Sequence, residues 1–195
     1  MTDRLKTNRL SWVVLAGFAF VLISSAAFGQ DTAVMLNGLA TKHEGVTKRV
    51  SSFDKTGGNG DCMPIEPGTT GVVAEIDGPG IIKHIWITIS HPDKNYRRML
   101  ILRMYWDGEA TPSVEAPIGD FFGQGWGEEY TNNSLPLTAG PAGGKGLNCY
   151  FPMPFAKHAK ITVENQSEQR CNALYFYVDY EAHKKLPKNQ YYFHA

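Results

Sequence analysis

Past residue 29 the chain repeats one signature: apolar and polar side chains alternate, the period of an extended strand whose successive side chains face opposite sides of a sheet. In 81–90, Ile85, Ile87 and Ile89 share one face while His84, Trp86, Thr88 and Ser90 share the other. Residues 171–180 set Leu174, Phe176 and Val178 against Tyr175 and Tyr177, and Ile161 and Val163 alternate with Thr162 and Glu164. Residues 99–106 are apolar on both faces, with Leu100, Leu102 and Met104 against Met99, Ile101 and Tyr105, as suits a strand inside a sandwich. Shorter strands are predicted over 72–76 and 113–116. Turn-forming clusters separate them, at Asp77-Gly78-Pro79-Gly80, Asp107-Gly108 and 138–146. No long run of period 3.6 occurs after residue 29. The pattern predicts an all-β fold, an antiparallel β-sandwich that is jelly-roll-like. Its core is predicted to hold Ile85, Ile87, Leu100, Leu102, Val163, Leu174 and Phe176.

The first 29 residues break the pattern. Arg4, Lys6 and Arg9 precede the apolar stretch 12–28, and Ala27 and Gly29 supply the small residues of a cleavage site before Gln30. This is the layout of a secretory signal peptide; the alternative is an uncleaved anchor, for which 12–28 is at the short limit of a bilayer span. The reading divides the chain into a signal peptide at 1–29, an N-terminal segment at 30–47 and a jelly-roll domain at 48–195. The mature protein is then secreted or periplasmic, with no membrane attachment after cleavage.

Composition narrows the partners. Lys+Arg and Asp+Glu both count 19, so no basic field points to nucleic acid. Three cysteines, Cys62, Cys149 and Cys171, allow at most one internal bridge. Free or partly buried thiols are expected, with Cys149 buried in its aromatic segment. The six histidines lack a short H-x-H or H-E-x-x-H spacing, so no metal site is predicted, and His84 is expected to be exposed on its strand. Residues 139–146 lack the spacing of a phosphate loop.

Two places carry candidate chemistry. The loop 51–61, SSFDKTGGNGD, gathers Asp54, Asn59 and Asp61 among glycines. It reads as an oxygen-ligand calcium loop, as a turn capped by Asx side chains, or as a polar rim that hydrogen-bonds a ligand. Glu115 and Asp120 are the carboxylate pair closest to what glycoside hydrolysis needs, one acid as proton donor and one as nucleophile or base. Trp86, Trp106, Trp126 and Tyr150 are large enough to stack on a sugar ring. A sandwich core also needs aromatics, which is the preferred reading for each except Trp126, set between Gly125 and Gly127.

Three segments together resemble the N-terminal half of a known bacterial family. They are 99–123 (MLILRMYWDGEATPSVEAPIGDFFG), 51–59 (SSFDKTGGN) and 148–155 (NCYFPMPF). The family is domain of unknown function 2961, whose characterised members form glycoside hydrolase family 172. The resemblance covers roughly 48–195 and implies the first of two jelly rolls. It implies a secreted bacterial retaining hydrolase acting on furanosides, α-fructofuranosyl or arabinofuranosyl units, with no cofactor. Homo-oligomers, trimers or multiples of them, are implied where the second half is present. The resemblance favours the sugar-binding reading of the loop; the substrate-binding candidates are Ser52, Asp54, Asn59, Asp61, Asp120, Trp126 and Tyr150, of which the resemblance does not single out Trp126. The family's catalytic glutamates lie in Gly-Glu-Gly-Asp and Thr-Glu-Asp-Tyr-Phe motifs, neither of which occurs here. Gly119-Asp120-Phe121-Phe122 only echoes the second, with Gly119 where the glutamate would stand. Gly60 likewise replaces the first of two acids that usually follow Gly-Gly-Asn. The expectation is therefore a chain lacking the catalytic pair, with Glu115 and Asp120 as its sole substitutes, in a truncated or split enzyme. The alternative is a non-catalytic carbohydrate-binding or structural β-sandwich.

Overall fold

In the computed structural model, which describes residues 42–195, twelve strands make two antiparallel sheets packed face to face. The expected signal peptide at 1–29 and most of the segment 30–47 lie outside the described residues.

The strands in chain order are β1 (Val46–Ser51), β2 (Met63–Ile65), β3 (Thr70–Asp77), β4 (Gly80–Ser90), β5 (Leu100–Trp106) and β6 (Val114–Pro117). There follow β7 (Asn132–Asn133), β8 (Leu137–Ala139), β9 (Leu147–Cys149), β10 (Met153–Phe155), β11 (His158–Asn165) and β12 (Cys171–Ala182). Two single-turn helices, α1 (Tyr96–Met99) and α2 (Ile118–Phe121), flank β5 and β6. The larger sheet runs β1-β12-β4-β9-β8-β7, with β2 also on β12 and β10 also on β4; the smaller runs β3-β11-β5-β6. Early strands thus pair with late ones: β1 and β2 with β12, β3 with β11, β4 with β9 and β10, β5 with β6. A long hairpin wrapped into two sheets in this way is a jelly roll, as the alternation predicted.

The β-branched and aromatic content of β4 and β12 suits their central position, where both edges are paired. Between the sheets, Ile85, Ile87, Leu174, Phe176 and Val178 meet Leu100, Leu102, Met104, Ile161 and Val163, and all are buried. Each of the seven predicted core residues is among them.

The phase fails at two bulges. Opposite β11, the register skips Val73 between Ala74 and Val72, so Val73 and Ala74 are both buried while Val72 is exposed. Opposite β12 it skips Lys83, so Ile82 and Ile85 both face the core. Met99, expected in the strand, closes α1 instead, and β5 begins at Leu100.

Cys149 and Cys171 are buried and Cys62 is half-buried, all three free. Burial pushes the Cys149 and Cys171 thiols up to about 11, out of the reactive range.

Candidate functional site

Residues on the outer face of β4 and β12 stand opposite one another, because Trp86 pairs with Tyr177 and His84 with Asp179 across the ladder. The Trp86 and Tyr177 rings stack at 4.7 Å, and the Arg49 guanidinium lies 4.4 Å from the centre of the Tyr177 ring. One row along, the Tyr150 ring stacks on His84 at 4.7 Å. His84 bridges Asp179 Oδ2 at 3.1 Å and Asn148 Oδ1 at 3.2 Å. Arg49 donates to both Asp179 oxygens, at 2.6 and 3.0 Å. Together with the His84 hydrogen bond, it holds the Asp179 carboxyl below its usual range.

Three expectations are corrected here. His84 is held by three neighbours with 23 % of its side chain exposed, rather than left open to solvent. Trp86 and Tyr150 belong to the outer face and not the core, since each sits on the polar phase of its segment. Trp106 is buried as read, its Nε1 donating to the Phe193 carbonyl.

At the end of this face lies a notch lined by Ser52, Phe53, Asp61, Trp86, Tyr175 and Tyr177. The loop after β1 builds its far wall. Asp54 organises that loop: Oδ1 accepts the Thr56 amide and hydroxyl, and Oδ2 accepts the Gly60 amide. These hydrogen bonds, led by the Thr56 hydroxyl, hold the Asp54 carboxyl below its ordinary value. Asp61 Oδ1 accepts the Asp54 amide at 2.8 Å, drawing the two ends of the turn together. Asn59 sits exposed at the tip with φ 62°, a left-handed position that asparagine tolerates. Ser52 pairs with Phe176 through its amide, and its hydroxyl accepts the Phe176 amide, which leaves the hydroxyl proton free to donate. A side chain at Gly60 would meet only the Asp54 carboxylate, at 3.4 Å, so the missing acid reflects no steric bar.

The structure therefore gathers Ser52 and Asp61 at one notch and makes Asp54 the scaffold of its wall, with Asn59 above it. Tyr150 stands in the neighbouring row. Missed from sequence were Phe53, Tyr175 and Tyr177. The tyrosines lay on the face opposite Leu174, Phe176 and Val178, and their place beside Trp86 depends on register. Among the described residues, no group of three or more His, Cys, Asp or Glu side chains is placed to hold a metal ion.

Asp120 and Trp126 lie elsewhere, at a corner formed by α1, α2 and the turn Gly125–Gly127. Asp120 is ion-paired with Arg98, whose stem packs against Gly127. Glu115 belongs to the smaller sheet, where it and Glu164 share Arg103 at 2.5 and 2.7 Å. Glu115 and Asp120 thus have different arginines as partners. Glu115 and Glu164 both stabilise the Arg103 charge, which raises its pKa. At α2, a Cβ on Gly119 would stand 2.8 Å from Arg97 Cβ, so the position echoing a catalytic glutamate is filled by the neighbouring arginine.

The fold is thus an antiparallel β-sandwich with an aromatic notch at the end of one outer face. A family model described as GH172 domain-like matches residues 59–177, more than half of the chain, and the chain belongs to that glycoside hydrolase family. No curated protein matches it. Among solved structures, one titled "Structure of infectious bursal disease virus Gx strain" aligns with 72% of this chain and 33% of its own. That alignment has a TM-score of 0.34 and 12% identity, so this chain spans about a third of that one.

Proposed function

We propose that this chain is the first jelly roll of a secreted retaining glycoside hydrolase of the GH172 family, acting on furanosides, and that it supplies sugar contacts and not the catalytic carboxylates. The notch carries the reading. Trp86, Tyr175 and Tyr177 offer aromatic surface, Phe53 closes the far side, and Ser52 and Asp61 offer a hydroxyl donor and a carboxylate acceptor to a sugar's hydroxyls. A few convergent polar groups on an aromatic lining is how small polar ligands are oriented.

The arrangement of Glu115 and Asp120 supports placing the chemistry outside this chain. A retaining mechanism needs two carboxyl groups about 5–5.5 Å apart across the anomeric centre. Glu115 and Asp120 instead neutralise arginines in separate places. The protein from Gln30 onward, assayed on aryl α-arabinofuranoside and aryl fructofuranoside, is expected to bind without turnover. Hydrolysis that disappears in Glu115→Gln or Asp120→Asn would overturn this assignment. Export is part of the proposal, and N-terminal sequencing of secreted material is expected to begin at Gln30; material retaining 12–28 would contradict it.

A further inference from the structure

The corner around Trp126 has properties that neither fold nor notch explains. Trp126 is 90% exposed and has φ 61°, a backbone conformation costly for a bulky residue and a pointer to function when it is firmly held. It is firmly held. Before it, Gln124 is fully buried, its Nε2 donating to the Tyr130 carbonyl at 2.6 Å and the Gly144 carbonyl at 2.8 Å. The Tyr130 hydroxyl folds back to donate to the Gly123 carbonyl and to accept the Gly125 amide. After it, Gly127 rests on Arg98, which Asp120 fixes. The ring is thus presented on a rigid turn.

Gly127 and Glu128, the next residues, line a cleft with His91, Asp93, Asn95, Tyr96 and Glu129. This wall is polar, not apolar. Glu129 Oε1 accepts the Tyr96 hydroxyl at 2.6 Å and lies 3.3 Å from the buried Arg97 guanidinium. Among the described residues, the buried side-chain polar atoms without a hydrogen-bond partner are Arg97 Nε and Nη1, Asp120 Oδ1 and Gln124 Oε1. All belong to this corner, and native interiors rarely leave such atoms unmatched. Three N–H donors and two acceptor oxygens are thus left over, on residues next to the cleft and not in its lining. Charge narrows the choice. Asp93 and Glu128 face the cleft with Lys94, because Arg97 engages Glu129, Asp120 engages Arg98, and burial lowers the pKa of His91.

We propose that the Trp126 turn and its cleft are a second carbohydrate contact, separate from the notch, which takes a neutral oligosaccharide and rejects a uronate. The ring supplies a stacking face; Glu128, Asn95 and Asp93 receive the hydroxyls. The two places share no lining residue, so this inference goes beyond the reading of the notch.

The test is calorimetric titration of the purified chain with arabinopentaose and with a galacturonate oligomer of equal length. The probe proteins are the wild type, Trp126→Gly, Glu128→Gln and Trp86→Ala. Trp126→Gly suits the left-handed backbone while removing the ring, so it retains the fold, which circular dichroism checks. Two classes of pentaose site are expected, one weakened at least about tenfold in Trp126→Gly and Glu128→Gln but untouched in Trp86→Ala, equal to about 1.4 kcal/mol. The galacturonate is expected to bind that site at least about tenfold more weakly than the pentaose, by the same conversion. Pentaose binding unchanged in Trp126→Gly, or galacturonate bound equally well, would overturn the inference. So would an oligomer that dissociates in Trp126→Gly with glycan binding intact, since Trp126 would then serve a protein contact. Failure of the notch reading looks different, as it appears in Trp86→Ala alone.

Discussion

Asp107 shows how much one side chain can organise. Its carboxylate accepts the Lys157 amide at 2.6 Å, the His158 amide at 3.0 Å, the Ala156 amide at 3.3 Å and the Tyr192 hydroxyl at 2.5 Å. It thereby ties the β5 turn to β11 and to the C-terminal segment. Partial burial alone would raise its pKa, but the Tyr192 hydroxyl and the three amides outweigh burial and lower it. A carboxyl depressed in the folded state stabilises above its unfolded pKa, about 3.9, and that stability is lost as pH falls through the folded value. Asp107→Asn keeps the left-handed φ of 55° but replaces one accepting oxygen with a donor. The expected loss is about 1–3 kcal/mol at pH 7, from hydrogen bonds to a charged group. Urea unfolding at pH 7 and pH 3 checks this: the gap between variant and wild type should narrow at the lower pH, and a constant gap would count against the charge.

At the scale of the elements, β4, β11 and β12 were readable by their alternation because each has one face against the other sheet, and β5 by its run of apolar residues. Ile87 lies in β4, paired on one side with Phe176 and on the other with Leu147, all three buried. Ile87→Ala is expected to lower unfolding free energy by about 2–5 kcal/mol, since neighbours braced on both sides cannot collapse into the void. A loss well under that in urea denaturation would mean the sheets are less tightly packed here. The bulges at Val73 and Lys83 were not legible, because they arise from pairing with distant strands. The notch was half legible for the same reason. Ser52 and Asp61 are adjacent to a recognisable loop, but Tyr175 and Tyr177 join them only through the register of β12 against β4. Arg97 gave no signal, since a charged residue in a single-turn helix carries no period to mark it as buried.

Across the whole molecule, the two outer faces of the sandwich differ in their side chains. The larger sheet turns an aromatic face outward and ends in the notch; the smaller sheet's outer face carries paired charges, Arg103 with Glu115 and Glu164, and Lys160 with Glu75. This division underlies the proposal that the chain holds sugar while carboxylates from elsewhere act on it. The most direct test is a binding titration of the purified chain with arabinobiose, read by nuclear magnetic resonance, for wild type, Trp86→Ala and Asp61→Asn. Shifts centred on Ser52, Asp61, Trp86 and Tyr177, weakened about tenfold or more in both variants, are expected from the loss of a stacking ring or an acceptor, each worth about 1.4 kcal/mol or more. Saturable binding that leaves those resonances still and is equal in all three proteins would contradict the account.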